Sequence, residues 1–222
     1  SMLEKNWKLV AGVFVAFVVG GVAYGLISAQ GAKKEHKAQE VYFKAEKKYL
    51  ELKGKAANPA EASAKRPEDY KAVKDEFESV ISTYPGSKAA QMSAVYLSDI
   101  LISENNKDQA LSTLQKAENS DSGLINTLVQ QQIGSLLADQ NKCAEALTVW
   151  QKIIDRKQAQ FLHNATRLQQ ALCYQKMNDS KKAEEILTNL ANQKSELNNT
   201  DATAKEAEKY LRVIQYKKAS GT

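Results

Sequence analysis

The chain has 222 residues, which is enough for one ordinary domain and an anchoring segment. Apolar residues make up 43% and charged residues 26%, values that are typical of a folded globular protein and exclude a largely disordered one. The net charge of +5 is spread over lysines that are interspersed with acidic residues, and no nucleic-acid-binding motif accompanies them, so we expect no nucleic-acid partner.

Helix-forming residues dominate the chain after its first 27 positions. Ala, Lys, Glu, Gln and Leu are the frequent residues there, and the whole sequence has only 3 Pro and 10 Gly. The composition therefore predicts an all-α fold.

The first element is an uncharged apolar run over residues 9–27, which follows a short flank at 1–8. At about 1.5 Å per residue the run nearly matches the roughly 30 Å hydrocarbon core of a bilayer, and it predicts a transmembrane helix. The alternative is a cleaved signal peptide, whose apolar core is about 7–15 residues long. The run is longer than that, and Ile27-Ser28-Ala29 is a mediocre cleavage site, so we favour a retained anchor.

Lysines flank both ends of this run. Lys5 and Lys8 precede it, and Lys33, Lys34 and Lys37 follow it, where they suit an interface with lipid headgroups. Because both flanks are basic, the charges do not decide which side of the membrane the rest of the chain occupies.

Gly21 and Gly25 form a small-xxx-small pair inside the apolar run. Such a pair lets another membrane helix approach closely, although glycine is also simply frequent in membrane helices. Both interpretations remain open.

Residues 28–53 predict a juxtamembrane helix from His36 to Leu52. An insertion loop at 54–66 separates it from repeats at 67–198, and a capping helix with a tail occupies 199–222. The candidate packing residues of the first helix are Tyr42, Phe43, Tyr49, Leu50 and Leu52. Those of the last helix, predicted from Thr200 to Ala219, recur at helical spacing: Ala204, Ala207, Tyr210, Leu211 and Ile214.

The middle of the chain repeats with a period of 36 to 37 residues (146 − 110 and 183 − 146). Three alanines define this period: Ala110, Ala146 and Ala183. A large apolar residue follows each alanine by four positions: Leu114, Trp150 and Leu187. A small residue precedes each by twelve positions: Ser98, Gly134 and Ala171. An asparagine, which tolerates the left-handed conformation of a helix end, precedes each by five positions: Asn105, Asn141 and Asn178. Each unit is therefore predicted to be two antiparallel helices.

This pattern resembles the tetratricopeptide repeat, whose period is 34 residues. An earlier unit fits more loosely through Val73, Phe77 and the segment Tyr84-Pro85-Gly86-Ser87, in which Ser87 is predicted to cap the next helix. Gln170 departs from the pattern, because it stands where an apolar residue is expected.

The order of flank, membrane helix, basic helix and about four repeats resembles the YfgM-like ancillary subunits of the SecYEG translocon. The resemblance implies an inner-membrane anchor with the repeats in the periplasm. It implies partners among translocon subunits, periplasmic chaperones and exported clients. The runner-up is an envelope assembly or cell-division coordinating repeat protein similar to CpoB, with a cleaved signal peptide.

A repeat array presents a concave surface lined by the first helix of each pair. The residues that the repeat register places there are Met92, Val95, Asp99, Leu128, Gln131, Ser135, Leu168, Leu172 and Gln175. Their mixture of apolar and amide side chains suits an extended or helical peptide. Leu168 and Leu172 have an alternative, which is to pack against the capping helix or the insertion.

The two cysteines are Cys143 and Cys173. The register places both on the same edge of the array, so a disulfide would close a loop of about 30 residues in an oxidising compartment. The alternative is that both are small buried thiols.

No motif for catalysis is present, and neither His36 nor His163 has convincing metal-ligand neighbours. We expect a protein that is not an enzyme, with no cofactor, no metal and no small-molecule substrate.

Overall fold

The computed structural model describes residues 7–57, 67–119, 123–193 and 202–220. Within these ranges, the side chains of residues 7–18, 20–27, 55–57 and 67–69 are not described. The described chain consists of helices and turns without a strand, which confirms the predicted all-α fold.

The helices follow one another with short connections. In chain order they are α1 (Trp7–Ala57), α2 (Pro67–Thr83), α3 (Lys88–Ser103), α4 (Lys107–Ala117), α5 (Leu124–Asp139), α6 (Cys143–Ile154), α7 (Gln160–Lys176), α8 (Ser180–Ala191) and α9 (Ala202–Ser220). One 3-10 turn, Lys157–Ala159, lies between α6 and α7.

Helix α1 is a single continuous helix of 51 residues, about 76 Å long at ~1.5 Å per residue. The sequence predicted two elements here, a membrane helix at 9–27 and a second helix from His36. It also predicted a loop from residue 54, whereas the helix continues to Ala57. No proline lies within α1, and a single glycine such as Gly31 costs a helix only about 1 kcal/mol, so nothing in the sequence ends it.

The predicted membrane segment lies in the first part of α1. Apart from Val19, its side chains, including those of Gly21 and Gly25, lie outside the described residues. Within the described part of the chain, no helix combines the length and apolar character that crossing a membrane requires. The transmembrane helix stays a prediction.

The helices pack as successive pairs, α1 with α2, α3 with α4, α5 with α6 and α7 with α8, and α9 packs on α8. The three alanines that define the repeat, Ala110, Ala146 and Ala183, are completely buried. The large side chains four positions after them, Leu114, Trp150 and Leu187, are completely buried too. The repeat register read from the sequence is therefore the packing register of the fold.

The turn inside each of the three regular units is built around its asparagine. Asn105, Asn141 and Asn178 have φ of 63°, 61° and 62°, which confirms the predicted left-handed conformation. The next residue donates its backbone N–H to a carbonyl five positions earlier, for example Lys142 to Leu137 at 2.8 Å. This bond closes the helix end and sends the chain back along the first helix of the pair.

The turn between α2 and α3 uses different residues. Gly86 has φ of 77°, and the Ser87 hydroxyl accepts a hydrogen bond from the Ala90 N–H at 3.0 Å. Ser87 is thus the N-cap of α3, as the sequence predicted.

The Trp150 ring of α6 packs directly against the α5 backbone at Gly134. A Cβ atom on Gly134 would lie 2.2 Å from Trp150 Nε1, although the indole ring is completely buried. The corresponding positions elsewhere pair Ser98 with Leu114 and Ala171 with Leu187. The larger ring in this unit therefore requires the smaller partner.

The buried side chains form two clusters. The larger joins α1 through α6 with Ala159 and Cys173, and the smaller joins Leu168, Ala171 and parts of α8 and α9. Helix α9 contributes Ala207 and Ile214 to the smaller cluster, so it covers the last repeat. Helix α7 contributes to both clusters, with Cys173 in the larger and Leu168 and Ala171 in the smaller.

Candidate protein-binding surface

The first helices of the pairs, α1, α3, α5 and α7, are neighbours in the array. We call the surface that they form the concave surface, because first helices line the concave side of stacked helix pairs. Helix α1 is the first helix of the first pair, which the sequence did not make clear.

Glu46 of α1 connects α1 to α3. Its carboxylate accepts hydrogen bonds from the hydroxyls of Tyr42 at 2.6 Å and Tyr96 at 2.8 Å. The two tyrosine rings are stacked with centroids 6.2 Å apart. Burial, followed by the hydrogen bond to Glu46, raises the pKa of Tyr42 far above its usual value. Both tyrosines therefore act as neutral donors that hold α1 against α3.

Gln132 of α5 connects α3 to α5. Its amide oxygen accepts a hydrogen bond from the Ser98 hydroxyl at 2.9 Å, and its nitrogen donates to Asp99 at 3.1 Å. Burial raises the pKa of Asp99, while Lys53 and the hydrogen bond from Gln132 act in the opposite direction. The half-buried Asp99 carboxyl is thus held by one donor and faces one nearby cation.

Helix α7 is attached to α5 by polar contacts. The Thr166 hydroxyl donates to the Gln131 amide oxygen at 3.1 Å, and the Lys176 ammonium donates to the Ala138 carbonyl at 2.9 Å. Since few other contacts join these two first helices, these bonds fix how the fourth unit continues the surface.

The predicted binding residues are distributed over α3, α5 and α7. Leu128 and Ser135 are exposed, and the partly buried members are Met92, Val95, Asp99, Gln131, Leu172 and Gln175. Leu168 differs from the others. It is only 4% exposed and belongs to the cluster that contains Leu187, Ala207 and Ile214, so it is a core residue and not a contact for a partner.

Phe43 and Leu50 of α1 belong to the exposed surface and not to the core. The sequence interpretation grouped them with Tyr42 and Tyr49 as packing residues, but they are 57% and 51% exposed. They lie three positions before and four after Glu46, on the helix face that reaches α3. The spacing Ala38, Tyr42, Ala45, Tyr49 is the available signal, because it marks the buried stripe of this helix, and Phe43 and Leu50 lie beside that stripe and not within it.

Together these side chains make a surface of exposed apolar groups set among amides and hydroxyls. Among the nine predicted residues only Asp99 is ionisable, and Phe43, Leu50 and Leu128 are exposed large hydrophobic residues. Exposed apolar side chains with polar groups around them have the composition of sites for polypeptides.

Cys143 and Cys173 are joined by a disulfide, with Cα atoms 5.3 Å apart. Cys143 begins α6 and Cys173 lies late in α7, so the bond links the third pair to the fourth. Both residues are buried, at 3% and 1% exposure. The sequence left open whether the two cysteines form a disulfide or remain buried thiols, and the structure shows the disulfide.

The histidines have ordinary surroundings. His163 Nε2 lies 3.0 Å from the Arg156 carbonyl oxygen, and His36 lines an open groove beside α1. In the ranges that the structure describes, no cluster of His, Cys, Asp and Glu has the arrangement of a metal site.

This fold and surface define a class of protein, the helical-repeat scaffold that binds polypeptides. Residues 1–165 match the family model of the tetratricopeptide repeat-like domain, and residues 165–193 match that of the tetratricopeptide repeat. The chain belongs to the tetratricopeptide repeat-like domain family. Neither a curated protein nor a solved structure matches it.

Proposed function

We propose that this protein is a membrane-anchored periplasmic scaffold that binds other proteins beside the SecYEG translocon and the periplasmic chaperones. The observation that carries the proposal is helix α1, which joins the apolar run at 9–27 without interruption to the first helix of the repeat array. An anchor of this kind would hold the concave surface at a set distance from the membrane.

Three features support a retained anchor. The family match begins at residue 1 and thus includes the apolar run. Val19, in the middle of that run, is 62% exposed and so has no protein cover. Gln30, where a mature chain would begin after cleavage, lies inside α1 and not in an extended segment.

The basic residues after the run support contact with lipid headgroups. Lys33, Lys34 and Lys37 line an open groove of about 470 Å³ together with Tyr84. Lys34 is seven positions beyond Ile27, about 10 Å along the helix, so its long side chain would reach back to the outer part of the headgroup region.

The disulfide supports an oxidising compartment. Structural disulfides persist in the periplasm and are rare in the cytosol, where thiols are kept reduced. The bond between Cys143 and Cys173 is buried inside the array, which is the position of a structural bond and not of a catalytic one.

The concave surface supports binding of exported or unfolded polypeptide segments without catalysis. Its exposed apolar residues, Phe43, Leu50 and Leu128, would cover apolar side chains of a client. Amides and hydroxyls around them would satisfy the client's backbone. The proposed role is therefore that of an adaptor.

Two experiments test the proposal. Alkaline phosphatase fused after Thr222 should be active, because that enzyme requires the periplasm; an active cytosolic reporter in its place would contradict the orientation. A photo-crosslinker at Leu128 should capture translocon subunits or periplasmic chaperones in intact cells. The matched control is Thr148, which is exposed on the second helix α6.

The outcomes separate the proposal from its alternative. Exclusively cytosolic partners at Leu128, or equal capture at Thr148, would contradict a periplasmic scaffold with this binding surface. A mature protein that starts near Gln30 would contradict the anchor and favour an envelope assembly or cell-division factor.

A further inference from the structure

An open groove lies between α1 and the turn that follows α2. We call it the lysine groove, and its lining is Gln30, Lys33, Lys34, His36, Lys37 and Tyr84. Its volume of about 470 Å³ is within the range of sites that hold small polar ligands. No carboxylate is among these lining residues, so the groove is basic and has no counter-charge of its own.

The lysines of this groove repel one another along α1. Lys33 and Lys37 are four positions apart, and Lys34 and Lys37 are three, so each pair shares a face of the helix. Like charges at these spacings destabilise a helix. Among the residues that the structure describes, none of the three ammonium groups has a carboxylate partner. An anion bound in the groove would remove this repulsion.

Glu35 is the acidic residue within the lysine cluster, but its carboxylate is engaged elsewhere. One of its oxygens accepts a hydrogen bond from the Lys88 backbone N–H at 3.1 Å, and the other accepts from the Gln39 amide at 3.2 Å. Lys88 begins α3, so Glu35 lies at the N-terminal end of that helix, where negative charge is favourable. The next carboxylate along α1, that of Glu40, pairs with Lys44. The groove lysines therefore keep their charge for an anion from outside the chain.

The position of the groove along α1 indicates which anion it meets. If residues 9–27 cross the bilayer, the headgroup region covers roughly the next 5–8 Å of the helix, so this inference rests on the proposed function. Gln30 comes three residues after Ile27, about 4–5 Å along the helix, and Lys37 comes ten residues after it, about 15 Å. The groove thus begins among the headgroups, and the long side chains of the more distant lysines can reach back to them.

We propose that the lysine groove binds the phosphodiester of an anionic phospholipid headgroup. Lys33, Lys34 and Lys37 would donate to the phosphate oxygens. Gln30 and Tyr84 would bond the polar remainder of the headgroup, and the acyl chains would lie along the apolar run. A zwitterionic phospholipid fits less well, because its own cationic group would face the lysines. Free phosphate has the same oxygens, but it lacks the acyl chains that the neighbouring apolar run would hold.

The test uses the full-length protein in a neutral detergent, with bound lipids counted one by one by native mass spectrometry. The protein is titrated with phosphatidylglycerol, and in parallel with phosphatidylcholine, which has a phosphodiester but no net charge. The first phosphatidylglycerol should bind at least about tenfold more tightly than the first phosphatidylcholine and than the second phosphatidylglycerol. Inorganic phosphate at the same concentrations should not displace it.

Matched lysine variants separate the groove from the overall charge of the protein. Lys33→Gln/Lys37→Gln should abolish the preference for phosphatidylglycerol, and Lys33→Arg/Lys37→Arg should retain it because the charge is kept. The control is Lys47→Gln/Lys71→Gln, which removes two exposed charges outside the groove and should leave the preference unchanged. Since the groove lysines repel one another, the melting temperature of Lys33→Gln/Lys37→Gln should be equal to that of the wild type or higher.

Three results would overturn the assignment. The first is equal affinity for phosphatidylglycerol and phosphatidylcholine. The second is the same loss of preference in the groove variant and in the control variant, which would mean attraction by net charge alone. The third is displacement of phosphatidylglycerol by inorganic phosphate at equal concentration, which would assign the groove to free phosphate.

Extraction of cell membranes with alkaline carbonate tests the anchor separately. The wild type and Lys33→Gln/Lys37→Gln should both stay in the membrane, because the apolar run is unchanged. A wild type that is extracted would contradict the anchor of the proposed function. A protein that is retained but has no preference for phosphatidylglycerol would contradict only the lysine groove.

Discussion

The contact between Gly134 and Trp150 gives the sharpest prediction about how this array is stabilised. In Gly134→Ala the added Cβ would lie 2.2 Å from Trp150 Nε1 and 2.6 Å from two carbon atoms of the same ring. The indole is completely buried between helices, so neither it nor the α5 backbone has free space to move into.

The expected magnitude is a balance of two terms. Overpacking a well-filled core costs about 1–3 kcal/mol, while replacing a helical glycine by alanine gains up to about 1 kcal/mol. We expect a net loss of about 1–2 kcal/mol. For a chain of this size that lowers the melting temperature by about 2–8 °C. Gly31→Ala is the control, because no atom lies within 4 Å of its added Cβ and the variant should be neutral or stabilising.

A double-mutant cycle isolates the contact. Trp150→Leu alone should cost about 3 kcal/mol because it leaves a cavity. The double variant, which recreates the Ala171 and Leu187 pair of the next unit, should be more stable than the sum of the single changes by at least about 1 kcal/mol. Thermal and urea unfolding followed by circular dichroism measure all four proteins. Additive effects, or a stabilised Gly134→Ala, would refute the steric explanation.

Three further predictions concern the disulfide, a turn and a tyrosine. Replacing both Cys143 and Cys173 by Ser should lower the free energy of unfolding by about 3–4 kcal/mol, because the bond closes a 30-residue loop. Urea unfolding with and without reductant measures this, and an unchanged curve for the reduced wild type would show that the bond contributes nothing. Asn141→Val should cost about 1–2 kcal/mol, because φ is 61° there, and Asn141→Gly should be nearly neutral; equal melting temperatures for the two variants would contradict the backbone argument. The raised pKa of Tyr42 means that the folded protein holds this proton where the unfolded chain loses it, so stability should fall above about pH 10, by up to ~1.4 kcal/mol per pH unit. Tyr42→Phe should flatten this alkaline slope in unfolding curves between pH 9 and 11, and an unchanged slope would exclude Tyr42 as its source.

Much of the repeat architecture was predictable from the sequence because it depends on local spacing. The positions of Asn105, Ala110 and Leu114 recur in the next two units with the same spacing. The helix-ending turn at the asparagine depends only on residues close in the chain, so it forms in the same way in each unit. The N-cap at Ser87 and the proximity of Cys143 to Cys173 were predictable from the sequence in the same way.

Other features depend on which elements meet in space, and the sequence could not determine them. The continuity of α1 follows from the absence of a helix breaker, but its place as the first helix of the array is decided by contact with α2 and α3. For that reason the sequence predicts Phe43 and Leu50 as packing residues and leaves Leu168 open between the concave surface and packing against the capping helix, since periodicity marks an apolar stripe and does not say what covers it.

The sequence by itself determined the helical class, the repeat register, the turns and the caps, because each rests on residues within one or two helical turns of one another. Only the tertiary structure decided which apolar side chains are covered, how Gly134 accommodates Trp150, and that Tyr84 lines an open groove together with Lys33 and Lys37. Those features arise between helices that are distant in the chain, where packing and desolvation, and not local preference, determine the outcome.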